Sequence, residues 1–227
     1  MNITSSEFRA RARETLGNKI FQRKWMMALA VYLVLSIIMG FSIDIGTKKT
    51  YTFGAFYFSI SNSLPIGSII LAGAAMFGMC KTFLNATRTK NEIDFSLAFD
   101  GFKNFKKTFL LGFLQNLYIV LWTLLLIVPG IIKAYSYSMS YYIMHDHPEF
   151  TWKECLAESE KIMDGNKSKL FCLDLSFIGW YIVGALCLGV GVLWVYPYHY
   201  VARADFYNEL IGYKAPTEEE PVPDDYV

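Results

Sequence analysis

Charge is what this chain has least of. Only 18% of its 227 residues are Asp, Glu, Lys or Arg, against about 25% in a soluble domain. The 21 basic and 20 acidic residues leave a net charge of +1, a field too weak to gather nucleic acid, so no nucleic-acid partner is expected. Cysteine is scarce as well. Cys80, Cys155, Cys172 and Cys187 show no CxxC spacing, which argues against a disulfide scaffold or a zinc site. No Gly-rich phosphate loop, HExxH pattern or Ser/His/Asp spacing is present. No catalytic residue, cofactor or metal is therefore assigned, and the chain is not expected to be an enzyme. The N-terminus does not read as a cleavable signal, because about 24 mostly polar residues precede the first apolar run and no small-residue cleavage site follows it.

What is abundant is apolar and aromatic: 54% of residues are hydrophobic and 17% are Phe, Trp or Tyr. These residues lie in runs too long for strands or ordinary core helices, and a helix needs about 20 residues to cross a bilayer. Residues 25–43 contain no charged residue, giving a first span. A second runs over about 64–84, with Lys81 snorkelling to the interface, after a connection at 44–63 expected to lie on the membrane surface. Residues 108–145 would make one helix of about 57 Å, nearly two bilayers, so a break is placed at Pro129-Gly130 and gives spans 108–128 and 131–146. Residues 168–208 divide in the same way at Gly189-Val190-Gly191, into 170–188 and 192–210. The expected fold is all-α: one polytopic membrane domain over 1–214 with about six transmembrane helices in three hairpins. The tail, 215–227, is acidic, proline-rich and expected to be disordered.

Basic residues set the orientation. Eighteen of the 21 Lys and Arg fall in segments assigned to one side, two (Lys48 and Lys49) lie opposite, and Lys133 sits within a span. The positive-inside bias places both termini in the cytoplasm of a cell-membrane protein. The hairpins also resemble one another. Asp100-Gly-Phe-Lys103 matches Asp164-Gly-Asn-Lys167, and Gly130-Ile-Ile-Lys-Ala-Tyr-Ser-Tyr137 matches Gly191-Val-Leu-Trp-Val-Tyr-Pro-Tyr198, which favours a threefold repeat. Short cytoplasmic amphipathic helices lead into the hairpins. Thr4-Ser-Ser-Glu7 and Thr151-Trp-Lys-Glu154 are capping boxes, and Gly17 and Gly165 stand at the helix C-termini. Phe8, Ala12 and Leu16 share one face, suited to packing on the bundle or lying on the anionic leaflet.

Several segments carry a family resemblance: Arg11-Ala-Arg-Glu-x-Leu-Gly-Asn18, Leu121-Trp-x-Leu-Leu-x-Ile-x-Pro-Gly-Ile-Ile-Lys-Ala-Tyr-Ser-Tyr-Ser138, Leu175-Ser-Phe-Ile-Gly-Trp180, Leu193-Trp-Val-x-Pro-Tyr198 and Phe206-Tyr-x-Glu-Leu210. Together they resemble the bacterial integral membrane family catalogued as domain of unknown function 975, over about residues 8–210. The resemblance implies a prokaryotic plasma-membrane protein of Gram-positive type and implies no reaction. His145-Asp146-His147 departs from the family pattern, so a metal role there is not implied.

Polar groups at membrane depth are costly and are the first functional candidates. They are Asn116 in span 3, with Gln115 beside it; Lys133 near the outer end of span 4; Asp174 one turn into span 5; and His199, Arg203 and Asp205 in span 6. Asp174 and Arg203 both lie toward the cytoplasmic end, where a pair would tie spans 5 and 6 or form part of a solute path. His145–Glu149 reads as a solvated helix terminus, and Tyr135, Tyr196 and their neighbours as an aromatic belt or interhelix packing. The expected function is a non-enzymatic factor that organises membrane components or the envelope. Its expected partners are the lipid bilayer and a membrane protein or a second copy of the chain. The alternatives are a small transporter or exporter and, last, an interfacial lipid-acting enzyme.

Overall fold

The computed structural model describes residues 3–17, 22–40, 44–45, 48–53, 56–61, 64–89, 93–186 and 189–213, without the side chains of 40–70. Helices carry the fold. α1 (Ser5–Leu16) leads into α2 (Arg23–Gly40) and α3 (Ile66–Thr89). A 3-10 turn, Phe95–Phe99, and α4 (Asp100–Lys103) lead into α5 (Phe105–Leu125), which is followed by α6 (Ile127–Ser136) and α7 (Ser140–Asp146). α8 (Trp152–Ile162) leads into α9 (Lys167–Leu186) and α10 (Val192–Leu210). Between α2 and α3, β1 (Asp44–Ile45) pairs antiparallel with β4 (Leu64–Pro65), and β2 (Lys48–Phe53) with β3 (Phe56–Ser61), Phe53 opposite Phe56. The sequence predicts only a surface connection there. Its Thr, Tyr and Phe residues favour extended backbone. The expected tail at 215–227 lies outside the described residues, as does Cys187.

The lead-in helices start and stop where their sequence dictates. In both capping boxes the N3 glutamate bonds the N-cap backbone: Thr4 N donates to Glu7 Oε2 at 2.7 Å, and Thr151 N to Glu154 Oε2 at 2.7 Å. Gly17 and Gly165 follow with φ of +93° and +71°, conformations that a side chain would oppose. The apolar face of α1 is spent on the bundle: Phe8, Ala12 and Leu16 are buried and α1 lies against α10, Phe8 meeting Phe206 ring to ring at 5.4 Å. The 3-10 turn and α4 lie on α3, and α8 lies on α7. Each lead-in thus packs on the second arm of a hairpin other than the one it enters.

The sequence predicts that the middle hairpin breaks at Pro129-Gly130. The chain turns instead at Leu126, whose backbone is extended (φ −159°, ψ 139°). Pro129 then stands third in α6, within the first turn, where backbone N–H groups have no helical partner and a proline loses nothing. Gly130 serves the close approach of the two arms, since a Cβ there would lie 2.1 Å from Thr123 Oγ1. The last hairpin closes in the same way, Gly191 against Gly184, where a Cβ would lie 2.8 Å from the facing Cα. Positions 123 and 184, like 130 and 191, are 61 residues apart. The expected span 131–146 is not one helix: Tyr137–Met139 form a turn between α6 and α7.

The core sits between the second arms. Phe83 and Leu84 of α3, Ile143 and Met144 of α7, and Phe206 and Tyr207 of α10 are all buried. α5 and α9 are the reverse. Among the described residues they are the two helices long and apolar enough to cross a membrane, yet less than a quarter of each apolar window is buried. Leu121, Leu124, Ile178 and Val183 are among the large side chains they expose.

Lys81, expected to snorkel, is paired with a carboxylate. Its Nζ lies 2.6 Å from Asp100 Oδ2 in α4, and Lys103 Nζ lies 2.7 Å from Oδ1. Burial raises the Asp100 carboxyl, but the hydrogen bonds from Lys103 and Lys81 outweigh it and hold the group below the usual carboxylate range. A depressed folded pKa contributes stability above the unfolded value of about 3.9 and loses it as pH falls through the folded one. Unfolding followed by circular dichroism should therefore show an acid loss of stability below about pH 4 that is shallower in Asp100→Asn.

Candidate functional site

α9 and α10 run antiparallel, and two turns of each face one another across a polar cluster. Asp174 and Tyr181, seven residues apart, lie on one face of α9; His199 and Arg203, four apart, lie on one face of α10. Arg203 grips Asp174 with two bonds, Nε to Oδ1 at 3.0 Å and Nη2 to Oδ2 at 2.5 Å. His199 Nε2 adds a third at 2.7 Å to Oδ1, and Tyr135 of α6 donates a fourth at 3.1 Å to Oδ2. A carboxylate only accepts, so Nε2 carries the proton. In the neutral ring Nδ1 then accepts from Tyr181 Oη, 3.0 Å away. The His199 ring is also stacked on Phe177, centroids 4.5 Å apart. Its orientation is fixed on three sides.

Beside this cluster is a cavity of about 400 Å³ lined by Tyr181, Tyr196, His199, Tyr200 and Arg203. Tyr196 closes one side by stacking on Tyr32 of α2 at 4.8 Å and meeting Tyr181 edge-on at 5.3 Å. Three tyrosines, an imidazole and a guanidinium can donate hydrogen bonds and stack, a wall suited to binding.

Of the residues expected from the sequence, Asp174, His199 and Arg203 come together here. Asp205 does not: it faces α1, where Arg11 lies 3.8 Å from it and 3.5 Å from Glu209. Asn116 bonds back to Gly112 O of its own helix at 2.8 Å, whereas its neighbour Gln115 ties the middle hairpin by bonding Tyr137 O at 3.2 Å and accepting from Ser140 at 2.7 Å. Lys133, placed by the sequence near the outer end of span 4, reaches Glu160 of α8 at 2.5 Å and lies 5.5 Å from the Trp122 and Tyr137 ring centres.

A second polar centre joins the ends of the core helices. Arg88 of α3 binds both oxygens of Asp146 of α7 at 2.7 Å, Tyr207 of α10 donates to Asp146 Oδ2 at 2.9 Å, and Arg88 Nε donates to Asn208 at 3.0 Å. Asn208 in turn donates to Thr87 Oγ1 at 2.9 Å. The expected solvated terminus at 145–149 is thus only half correct. His147 and Glu149 are exposed, but the Asp146 side chain is 16% accessible and held by three helices. The spacing did carry a signal: Asp146 and Tyr207 are 61 residues apart, the same interval that separates Gly130 from Gly191.

Comparison with known proteins gives one match. The family described as "Protein of unknown function (DUF975)" matches residues 1–136 and 124–214. No curated protein and no solved structure matches.

Proposed function

The chain belongs to the DUF975 family, and from that premise we propose that it is a six-span protein of a bacterial cell membrane, with both termini cytoplasmic, that organises other membrane components or the envelope without catalysing a reaction. One observation carries the membrane reading. Two long apolar helices, α5 and α9, turn most of that surface outward, whereas a soluble protein buries such helices and rarely exposes contiguous apolar patches beyond a few hundred Å². Lipid is the solvent that such a surface fits. The three hairpins, each with a lead-in helix packed on a second arm, are read as a repeat. The arm formed by α6 and α7 is the irregular one. α8 packs along it, Ser159 Oγ bonding Ser136 O at 2.7 Å, so lipid covers chiefly its first turns and the end of α5.

The organising role is favoured over transport by how the buried charges are used. Asp174 with Arg203 and Asp146 with Arg88, both largely buried, are tied within the chain. A solute path needs polar groups that exchange partners. Deleting the gene should alter envelope sensitivity to detergent or osmotic shock, and mild solubilisation should recover a recurring membrane-protein partner or a homo-oligomer. Absence of both, or substrate-dependent flux through reconstituted protein, would contradict the reading.

A further inference from the structure

The cavity walled by α9 and α10 is lined by a cation whose bonding capacity is only partly used. A guanidinium has five N–H groups arranged as forks that suit oxyanions. Asp174 takes Nε and one N–H of Nη2, which leaves three, including the fork formed by Nη1 and Nη2 together. Tyr200, on the same wall, stacks its ring on Phe83, and among the described residues its hydroxyl meets only Met76 Sδ, at 3.8 Å, a weak acceptor. Its hydroxyl is available to a better one. Tyr181 and His199 bond each other, and Tyr196 contributes an aromatic side by stacking on Tyr32.

We propose that this cavity binds a phosphate-type oxyanion, seated on the free fork of Arg203 and the hydroxyl of Tyr200, with Tyr181 and Tyr196 packing around it. Asp174 does not oppose this. Its charge is matched by Arg203 and covered by His199 and Tyr135, and it is absent from the cavity wall. A cationic ligand, which an aromatic box alone would suit, is disfavoured by Arg203 in the lining. The volume, about 400 Å³, is in the range of small-molecule sites and exceeds what one phosphate fills, so the group is carried by a larger molecule or accompanied by water. Both an anionic lipid headgroup and a soluble phosphate have this chemistry. The lipid source rests on the membrane reading above; the soluble one does not.

The full chain in a non-ionic detergent is titrated calorimetrically with inorganic phosphate and with dihexanoyl phosphatidic acid, the zwitterionic dihexanoyl phosphatidylcholine serving as control. Saturable binding of either anionic probe over the control is expected, at least tenfold weaker in Tyr200→Phe and in Arg203→Lys. Tyr200→Phe removes one hydroxyl with no strong partner and should leave the unfolding midpoint in place, so it decides the matter if Arg203→Lys fails to fold. Phosphatidic acid bound well above inorganic phosphate identifies a lipid headgroup, and equal binding identifies a soluble anion. No saturable binding of either probe, or unchanged affinity in either folded variant, overturns the proposal. Lipid exposure of α5 and α9 is measured separately, so the membrane reading can fail while this site stands, and the reverse.

Discussion

Asp174→Ala should destabilise the protein by about 3–5 kcal/mol, the range for removing one partner of a buried ion pair. The substitution strands three groups at once: the Arg203 guanidinium, His199 Nε2 and the Tyr135 hydroxyl all lose the acceptor on which they converge. The Asp174 and Arg203 side chains are 17% and 26% accessible, so water restores little of what is lost. Arg203→Ala should cost less, because the Asp174 carboxylate keeps two donors, His199 Nε2 at 2.7 Å and the Tyr135 hydroxyl at 3.1 Å. Reversing the pair is not expected to rescue it, since a guanidinium at 174 would face two donors. The informative double variant is Asp174→Ala with Arg203→Met. If the charge left behind dominates the damage, the double variant should be more stable than Asp174→Ala alone, a coupling that thermal unfolding in detergent reads as a double-mutant cycle. Additive losses would mean that the two residues do not act as a unit.

The second large effect is steric. A Cβ on Gly78 would lie 1.8 Å from the Ala98 carbonyl oxygen and 2.7 Å from its carbon; one on Gly101 would lie 2.0 Å from Ala74 O. Ala74 and Gly78 are one turn apart on α3, so the lead-in segment rests on a small-residue pair that lets backbones touch, as in membrane helix packing. Backbone atoms cannot rotate away as a side chain would. Gly78→Ala should therefore cost about 1–3 kcal/mol, and Gly78→Val more, with the 3-10 turn lifted from α3 and the Lys81–Asp100 pair opened. Gly179→Ala is the matched control. Among the described residues nothing lies within 4 Å of the Cβ this substitution adds, so the gain in helix propensity, up to about 1 kcal/mol, should make it neutral or stabilising.

How much of this was legible in the sequence differs from element to element. The lead-in helices were readable because caps are local: Thr4 with Glu7, Thr151 with Glu154, and the glycines at 17 and 165 act within a few residues. The hairpin turn was misplaced by about four residues because proline was read only as a breaker, while its actual place is the first turn of α6, where it is compatible with helix. The Asp174–Arg203 pair followed from depth alone. His199 was recognised as costly but not as a partner, although its four-residue spacing from Arg203 puts the two on one face. Arg88 was missed altogether. It sits 58 residues from Asp146, and no local pattern pairs residues on different hairpins; only the repeat interval, which aligns Asp146 with Tyr207, pointed to the three-helix junction. In the sequence Lys81 reads as a snorkelling cation and Lys133 as a cation within a span, because the carboxylates that meet them, Asp100 and Glu160, belong to lead-in helices whose packing on the second arms is tertiary.

The central claim is that the outward apolar faces of α5 and α9 lie in lipid. Spin labels at Leu121→Cys and Ile178→Cys test it most directly, in a background with Cys172→Ser, because Cys172 is exposed, and Cys187→Ser, with Glu158→Cys on α8 as reference and the protein reconstituted in bilayers. At 121 and 178, collisions with oxygen, which concentrates in hydrocarbon, should exceed those with a water-soluble nickel chelate, and the order should reverse at 158. Nickel collisions dominating at 121 and 178 would contradict the account.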